Sequence, residues 1–111
     1  MKTLILGPVD VTRKTVHRAI DRAILNPTEI VSCASAGTGL FAEEWGMFNS
    51  IKIRRFFPNQ RKWGKKAVDM MYKNMAKYAD GVILLYRNEE ELSELTSVLP
   101  NYKKPFEIIK I

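Results

Sequence analysis

Two periods alternate along this chain, and that alternation restricts its fold more than any single motif. Short aliphatic and β-branched runs, read as buried strands, are separated by stretches whose apolar residues recur at helical spacing. Lys2–Leu6 is the first such run, stopped by Gly7-Pro8. Val16, Ala19, Ile20, Ala23 and Ile24 then mark one face of a helix, with Asp10 or Thr12 as its cap and Pro27 just beyond its end. Glu29–Ala34 reads as a second strand, and Ser35-Ala36-Gly37-Thr38-Gly39 as a small-residue turn. The helix that follows carries Phe41, Trp45 and Phe48 on one face. Ile51–Phe57 is a third strand, broken by Pro58-Asn59-Gln60. A third helix shows in Val68, Met71, Tyr72, Met75 and Ala79. Gly81–Tyr86 is the strongest buried-strand signal, Glu89–Leu99 is a short acidic helix with Leu92, Leu95 and Leu99 inward, and Pro105–Ile111 is a fifth strand. The pattern predicts an α/β fold: a single Rossmann-like three-layer domain over residues 1–111, with a five-stranded, mostly parallel sheet and four helices.

A chain of 111 residues has room for one core and little more. Its 46% apolar and 27% charged residues exclude wholesale disorder. No apolar run approaches the roughly 18–20 residues that span a bilayer, and the run before Gly7 is too short for a secretion signal. Cys33 is the single cysteine, which excludes an internal disulfide and a cysteine-based zinc site. A cytoplasmic setting with no membrane, no metal and no cofactor is therefore expected.

Charge is the more informative quantity. Eighteen Lys and Arg stand against twelve Asp and Glu, a net of +6. Between Lys52 and Lys77 lie Lys52, Arg54, Arg55, Arg61, Lys62, Lys65, Lys66, Lys73 and Lys77 with one acid, Asp69, so this stretch carries 9 − 1 = +8 and the remainder −2. Phe56, Phe57 and Trp63 are interleaved with these cations. The plain reading is a solvated face; the cluster also has the composition of a ligand or nucleic-acid surface.

In open parallel sheets, ligands sit beyond the carboxyl ends of the strands where strand order reverses. The loops after the first two strands, Gly7–Asp10 and Cys33–Gly39, are therefore expected to form the site. Gly7, Pro8 and Asp10 would line one side of it. Ser32, Cys33, Ala36, Gly37, Thr38 and Gly39 carry little side-chain bulk and open a helix, so a phosphate or sugar can lie on that backbone. Glu43 and Glu44 follow within the helix; adjacent helical residues diverge, so one at most faces the site, and Glu44 is the candidate for ribose contact or acid–base work. Lys65 and Lys66 would add positive charge. His17 reads as a surface residue and Cys33 as a packing residue. The loops are neither a P-loop nor a G-x-G-x-x-G turn.

At these loops the chain resembles the small SLOG-superfamily proteins of the YspA type. Gly7-Pro8-Val9-Asp10-Val11 matches that family's G-G-R-D-F-like turn. Val31-Ser32-Cys33-Ala34-Ser35-Ala36-Gly37-Thr38-Gly39-Leu40-Phe41-Ala42-Glu43-Glu44-Trp45 matches its V-S-G-G-A-R-G-A-D-x-L-A-x-E-W motif. Phe57-Pro58, Gly64-Lys65-Lys66-Ala67, Asn74-Met75 and Ala79-Asp80-Gly81-Val82-Ile83 fit its third region. The resemblance covers nearly the whole chain and implies a Rossmann-like domain that binds a nucleotide-derived ligand; a short, drifted, basic member also fits a phage-encoded version. The departures are specific. The family's second-loop arginine falls on Ala36 and its aspartate on Gly39, its R-N pair falls on Met71-Tyr72, and its glycine-rich fourth turn is replaced by Arg87-Asn88-Glu89-Glu90-Glu91. The motif of related phosphoribohydrolases is absent, which places binding above catalysis.

Four readings follow. The first is non-catalytic binding of a nucleotide or nucleotide-derived small molecule at the ends of strands 1 and 2. The second is single-strand nucleic-acid binding through the basic 52–77 segment, with Trp63 and Phe56 stacking on bases. The third is N-glycosidic cleavage of a nucleotide by Glu43 or Glu44. The fourth is an interaction module, a homo-oligomer formed through Met70, Met71 and Met75.

Overall fold

A computed structural model describes residues 1–33 and 36–111. The β-rich runs form β1 (Lys2–Leu6), β2 (Glu29–Ser32), β3 (Lys52–Arg55), β4 (Gly81–Tyr86) and β5 (Phe106–Lys110). The helices are α1 (Arg13–Arg22), α2 (Thr38–Phe48), the single turn α3 (Gln60–Trp63), α4 (Ala67–Tyr78) and α5 (Glu89–Ser97), with a 3₁₀ turn over Gly64–Lys66. The expected strands and four full helices are all present, and α3 is an addition, started by the Asn59 side chain accepting from the Lys62 amide. Ala34 and Ser35, expected in the second strand and the following turn, lie outside the described residues.

The sheet is wholly parallel, in the order β3-β2-β1-β4-β5. Alternate strand residues feed two cores. Leu4, Leu6, Val31, Val82 and Leu84 face Met71, Met75 and Leu99 on the side of α4 and α5. Ile5, Ile30, Ile83 and Leu85 face Val16, Ile20, Ala42 and Trp45 on the side of α1 and α2. This is the three-layer arrangement in which a parallel sheet is covered on both faces. Among the described residues no helix is long and apolar enough to cross a membrane.

One open alternative is decided and two local expectations change. Thr12, not Asp10, caps α1, its hydroxyl accepting from the Thr15 amide. That helix stops at Arg22, so Ile24 is 89% exposed and not part of the buried face. The Glu107 carboxylate accepts from the amides of Ile24 and Leu25 at 2.9–3.0 Å and holds the chain in a turn there. In α2 the buried face is Thr38, Gly39, Ala42, Glu43, Trp45 and Gly46, while Phe48 is exposed. A Cβ on Gly46 would lie 2.6 Å from Ile53 Cδ1, so the helix approaches the sheet too closely for a row of aromatic rings. Of the α4 methionines, Met71 and Met75 are buried in the core and Met70 is half-buried.

Candidate functional site

Strand order reverses between β1 and β4, so the switch point is bounded by the loops after those two strands. The loops after β1 and β2 do meet, as expected, but they meet in direct contact. Thr38 donates its amide (3.2 Å) and hydroxyl (2.7 Å) to the Pro8 carbonyl. Gly37 has φ +72°, and a Cβ there would run into the Val9 carbonyl. A Cβ on Gly7 would lie 2.5 Å from Thr38 Oγ1 and 3.1 Å from Leu85 Cβ. The glycines at 7 and 37 thus let the start of α2 seat against the end of β1. Thr38 and Gly39 are buried in that seat, and Ala36 is exposed beside it.

Ser32 ends β2 fully buried, and its carbonyl accepts from the Phe56 amide at 2.8 Å. Cys33 is half-buried beside Tyr72, whose hydroxyl is pushed up first by burial and then by the neighbouring thiol. Lys65 and Lys66 are exposed on the 3₁₀ turn between β3 and α4. Among the described residues, no hydrogen bond or ion pair joins either lysine to the two small-residue loops.

The carboxylates singled out from sequence are both matched to arginines. Glu44 pairs with Arg13 at 2.8 and 3.0 Å. Glu43 is 2% exposed and accepts from Arg55 Nε and Nη2 at 2.7 Å, while its Oε2 is buried without a hydrogen-bond partner. Of the two, Glu43 points inward, towards the end of β3. His17 departs from a plain surface role: Nε2 bonds the Phe41 carbonyl at 2.9 Å, and its ring meets Phe48 edge-on.

Arg87, immediately after β4, is a residue that sequence reasoning did not count among the ligand-binding ones. Its guanidinium reaches across the switch point. Nη2 donates to Asp10 Oδ1 at 2.8 Å and Nη1 to Asp10 Oδ2 at 3.1 Å. Nε and Nη2 also bond the Glu91 carboxylate, which further accepts from the Arg87 amide at 2.9 Å. Arg87 holds the Asp10 and Glu91 carboxyls below the usual carboxylate range, and Glu91, then Asp10, raise the arginine in turn. A single arginine followed four residues later by a helical glutamate was the available signal, since that spacing brings the two side chains together. The contact with Asp10, 77 positions away, had none.

Among the described residues, the cations of the basic segment with acidic partners are Lys52 (with Glu29, 3.7 Å) and Arg55 (with Glu43). Phe56 is half-buried, with Tyr78 meeting its ring edge-on and Arg54 5.2 Å from its centre. Phe57 is 68% and Trp63 37% exposed, with Lys62 Nζ 5.1 Å from the Trp63 ring. No family model, no curated protein and no solved structure matches the chain.

Proposed function

We propose that this protein is a non-catalytic binding domain for an anionic, nucleotide-type ligand taken at the switch point between β1 and β4. The observation that carries this reading is Arg87. It stands at the carboxyl end of the sheet with its guanidinium already gripping carboxylate oxygens on two sides, 38% exposed. A phosphate presents the same oxygen spacing to that fork, so it can replace Asp10 and Glu91 as the arginine's partner. The resemblance to nucleotide-binding Rossmann-like domains points to the same end of the sheet. The non-catalytic part rests on Glu43 and Glu44. Each carboxylate is already bound to an arginine, which competes with a substrate for the same oxygens.

The test is calorimetric titration and thermal shift with inorganic phosphate, AMP, ADP and ADP-ribose. A ligand at about 100 times its Kd adds roughly 2.7 kcal/mol of stability. Arg87→Ala should abolish that gain. Asp10→Asn should strengthen binding, because it removes a competitor for the arginine. Equal binding by wild type and Arg87→Ala would sink the reading.

A second reading is favoured by a separate observation. Among the described residues, seven cations of the 52–77 segment, Arg54, Arg61, Lys62, Lys65, Lys66, Lys73 and Lys77, form no salt bridge to an acid. With the exposed rings of Phe57 and Trp63 they suit a single nucleic-acid strand, whose affinity would fall steeply with salt. Retained strand binding after joint Lys65→Glu and Lys66→Glu substitution would remove this reading.

A further inference from the structure

The two edges of the sheet are treated differently by the sequence. The β3 edge carries Lys52, Arg54 and Arg55, charges of the kind that stop edge strands from pairing with copies of themselves. The β5 edge carries fewer charges: Lys110 is its one cation, and Glu107 is turned to the amides of Ile24 and Leu25. Val82 donates to the Pro105 carbonyl and Ile111 to the Tyr86 carbonyl. Odd-numbered residues of β5 therefore direct their main-chain groups to β4. Phe106, Ile108 and Lys110 turn theirs outward, away from the sheet. Phe106 is 41% and Ile108 45% exposed, on the face of the sheet that carries α4 and α5. On the opposite face the sheet beside β5 is also open, with a hollow of about 600 Å³ between α1 and Lys110–Ile111.

We propose that the β5 edge is a homodimer interface, in which two copies pair β5 against β5 antiparallel about a two-fold axis through Ile108 and so join their sheets. Side-chain alternation limits the choice of register. Centring on Glu107 would set two carboxylates directly opposite each other, which is destabilising. Centring on Ile109 would set Ile108 opposite the partner copy's Lys110, an apolar side chain against a cation. Centring on Ile108 uses the whole strand. Ile108 then packs on its own copy, each Phe106 faces the partner copy's Lys110, and the outward main-chain groups of all three residues are satisfied. This register sets no like charges opposite each other, whereas β3 against β3 would oppose cation to cation. This interface is independent of the ligand reading at the switch point.

Sedimentation equilibrium on the full chain, from about 1 µM to about 1 mM, tests it. The wild type should reach a dimer within that range, and the amides of Phe106, Ile108 and Lys110 should gain hydrogen-exchange protection with concentration. Ile108→Lys and Phe106→Lys, both at exposed positions, should keep the folded circular dichroism spectrum and weaken the dimer at least ~10-fold. Adding Lys110→Glu to Phe106→Lys should restore it, since the register sets those two residues opposite. A chain that stays monomeric throughout overturns the proposal. So does a dimer indifferent to both lysine substitutions, or one whose protection gain lies elsewhere.

Discussion

Glu43 is the residue at which burial and charge are most sharply opposed. Its carboxylate sits 2% exposed on α2 with one oxygen on Arg55 and the other unpartnered. Removing Arg55 leaves a buried, uncompensated charge, a change that costs about 3–5 kcal/mol when both partners are buried. Arg55 is 51% exposed, so water screens part of the pair. Arg55→Ala should therefore cost roughly 2–3 kcal/mol in urea unfolding. Glu43→Gln keeps the packing and removes the charge, and should cost less than Arg55→Ala. The reverse ranking would mean that the ion pair does little for the fold. At the switch point the sign runs with pH. Arg87 holds the Asp10 and Glu91 carboxyls below their ordinary values, so their contribution is complete above those ordinary values, near about pH 4, and is lost as pH falls through the depressed ones. The melting-temperature gap between wild type and Arg87→Ala should hold steady from neutral pH to about pH 5 and close below that. A gap that widened on acidification would contradict the pairing. Glu43 could be singled out from sequence, but not its burial, because nothing local indicates which of two adjacent glutamates turns inward.

At the scale of elements, the first helix-sheet junction depends on one backbone position. Gly37 precedes α2 at φ +72° and presses on the backbone of Val9. Gly64 also has positive φ, +53°, but a Cβ there meets nothing within 4 Å. The pair separates conformational strain from collision. Gly64→Ala should cost about 1–2 kcal/mol, from strain alone. Gly37→Ala adds a backbone clash that no side-chain rotation relieves, and should cost about 2–4 kcal/mol. Urea unfolding of the two variants checks the order; equal losses would show that the loop gives way without cost. The existence of each strand and helix was legible because periodicity reports burial along a single element. Boundaries and faces were less so. The apolar spacing of α1 ran on to Ile24, but a carboxylate from β5 ends the helix at Arg22. The aromatic spacing of α2 suggested a ring-lined inner face, but close approach to β2 and β3 selects Ala42 and Gly46 and leaves Phe48 outside. Both outcomes depend on residues remote in sequence.

For the molecule as a whole, strand order was the quantity that alternation left open, and it decides which loops share the site. A β3-β2-β1-β4-β5 sheet moves the switch point to β1 and β4 and brings Arg87 to Asp10, while the β1 and β2 loops close on each other. The charge asymmetry, by contrast, was fully legible, because it is additive along the chain. Folding then sharpens it. Several acids of the remainder are turned to local work: Asp10 and Glu91 on Arg87, Glu44 on Arg13, and Glu107 on the amides of Ile24 and Leu25. Lys73 and Lys77 of α4 are joined by Lys103 and Lys104 around a groove of about 320 Å³, beside Leu99 and Tyr102. Lys104 caps the end of α4 by bonding the carbonyls of Ala76, Lys77 and Ala79. Cations from distant parts of the sequence are therefore held together by the fold, and their mutual repulsion opposes it. Ions screen such repulsion over a Debye length of about 10 Å at 0.1 M salt. Raising sodium chloride from about 0.01 to about 0.3 M at neutral pH should raise the melting temperature, and a polyanion such as heparin should raise it further at much lower concentration. Lys73→Gln together with Lys77→Gln should flatten both responses. A melting temperature that fell with salt would mean that the arginine–carboxylate pairs outweigh the lysine repulsion.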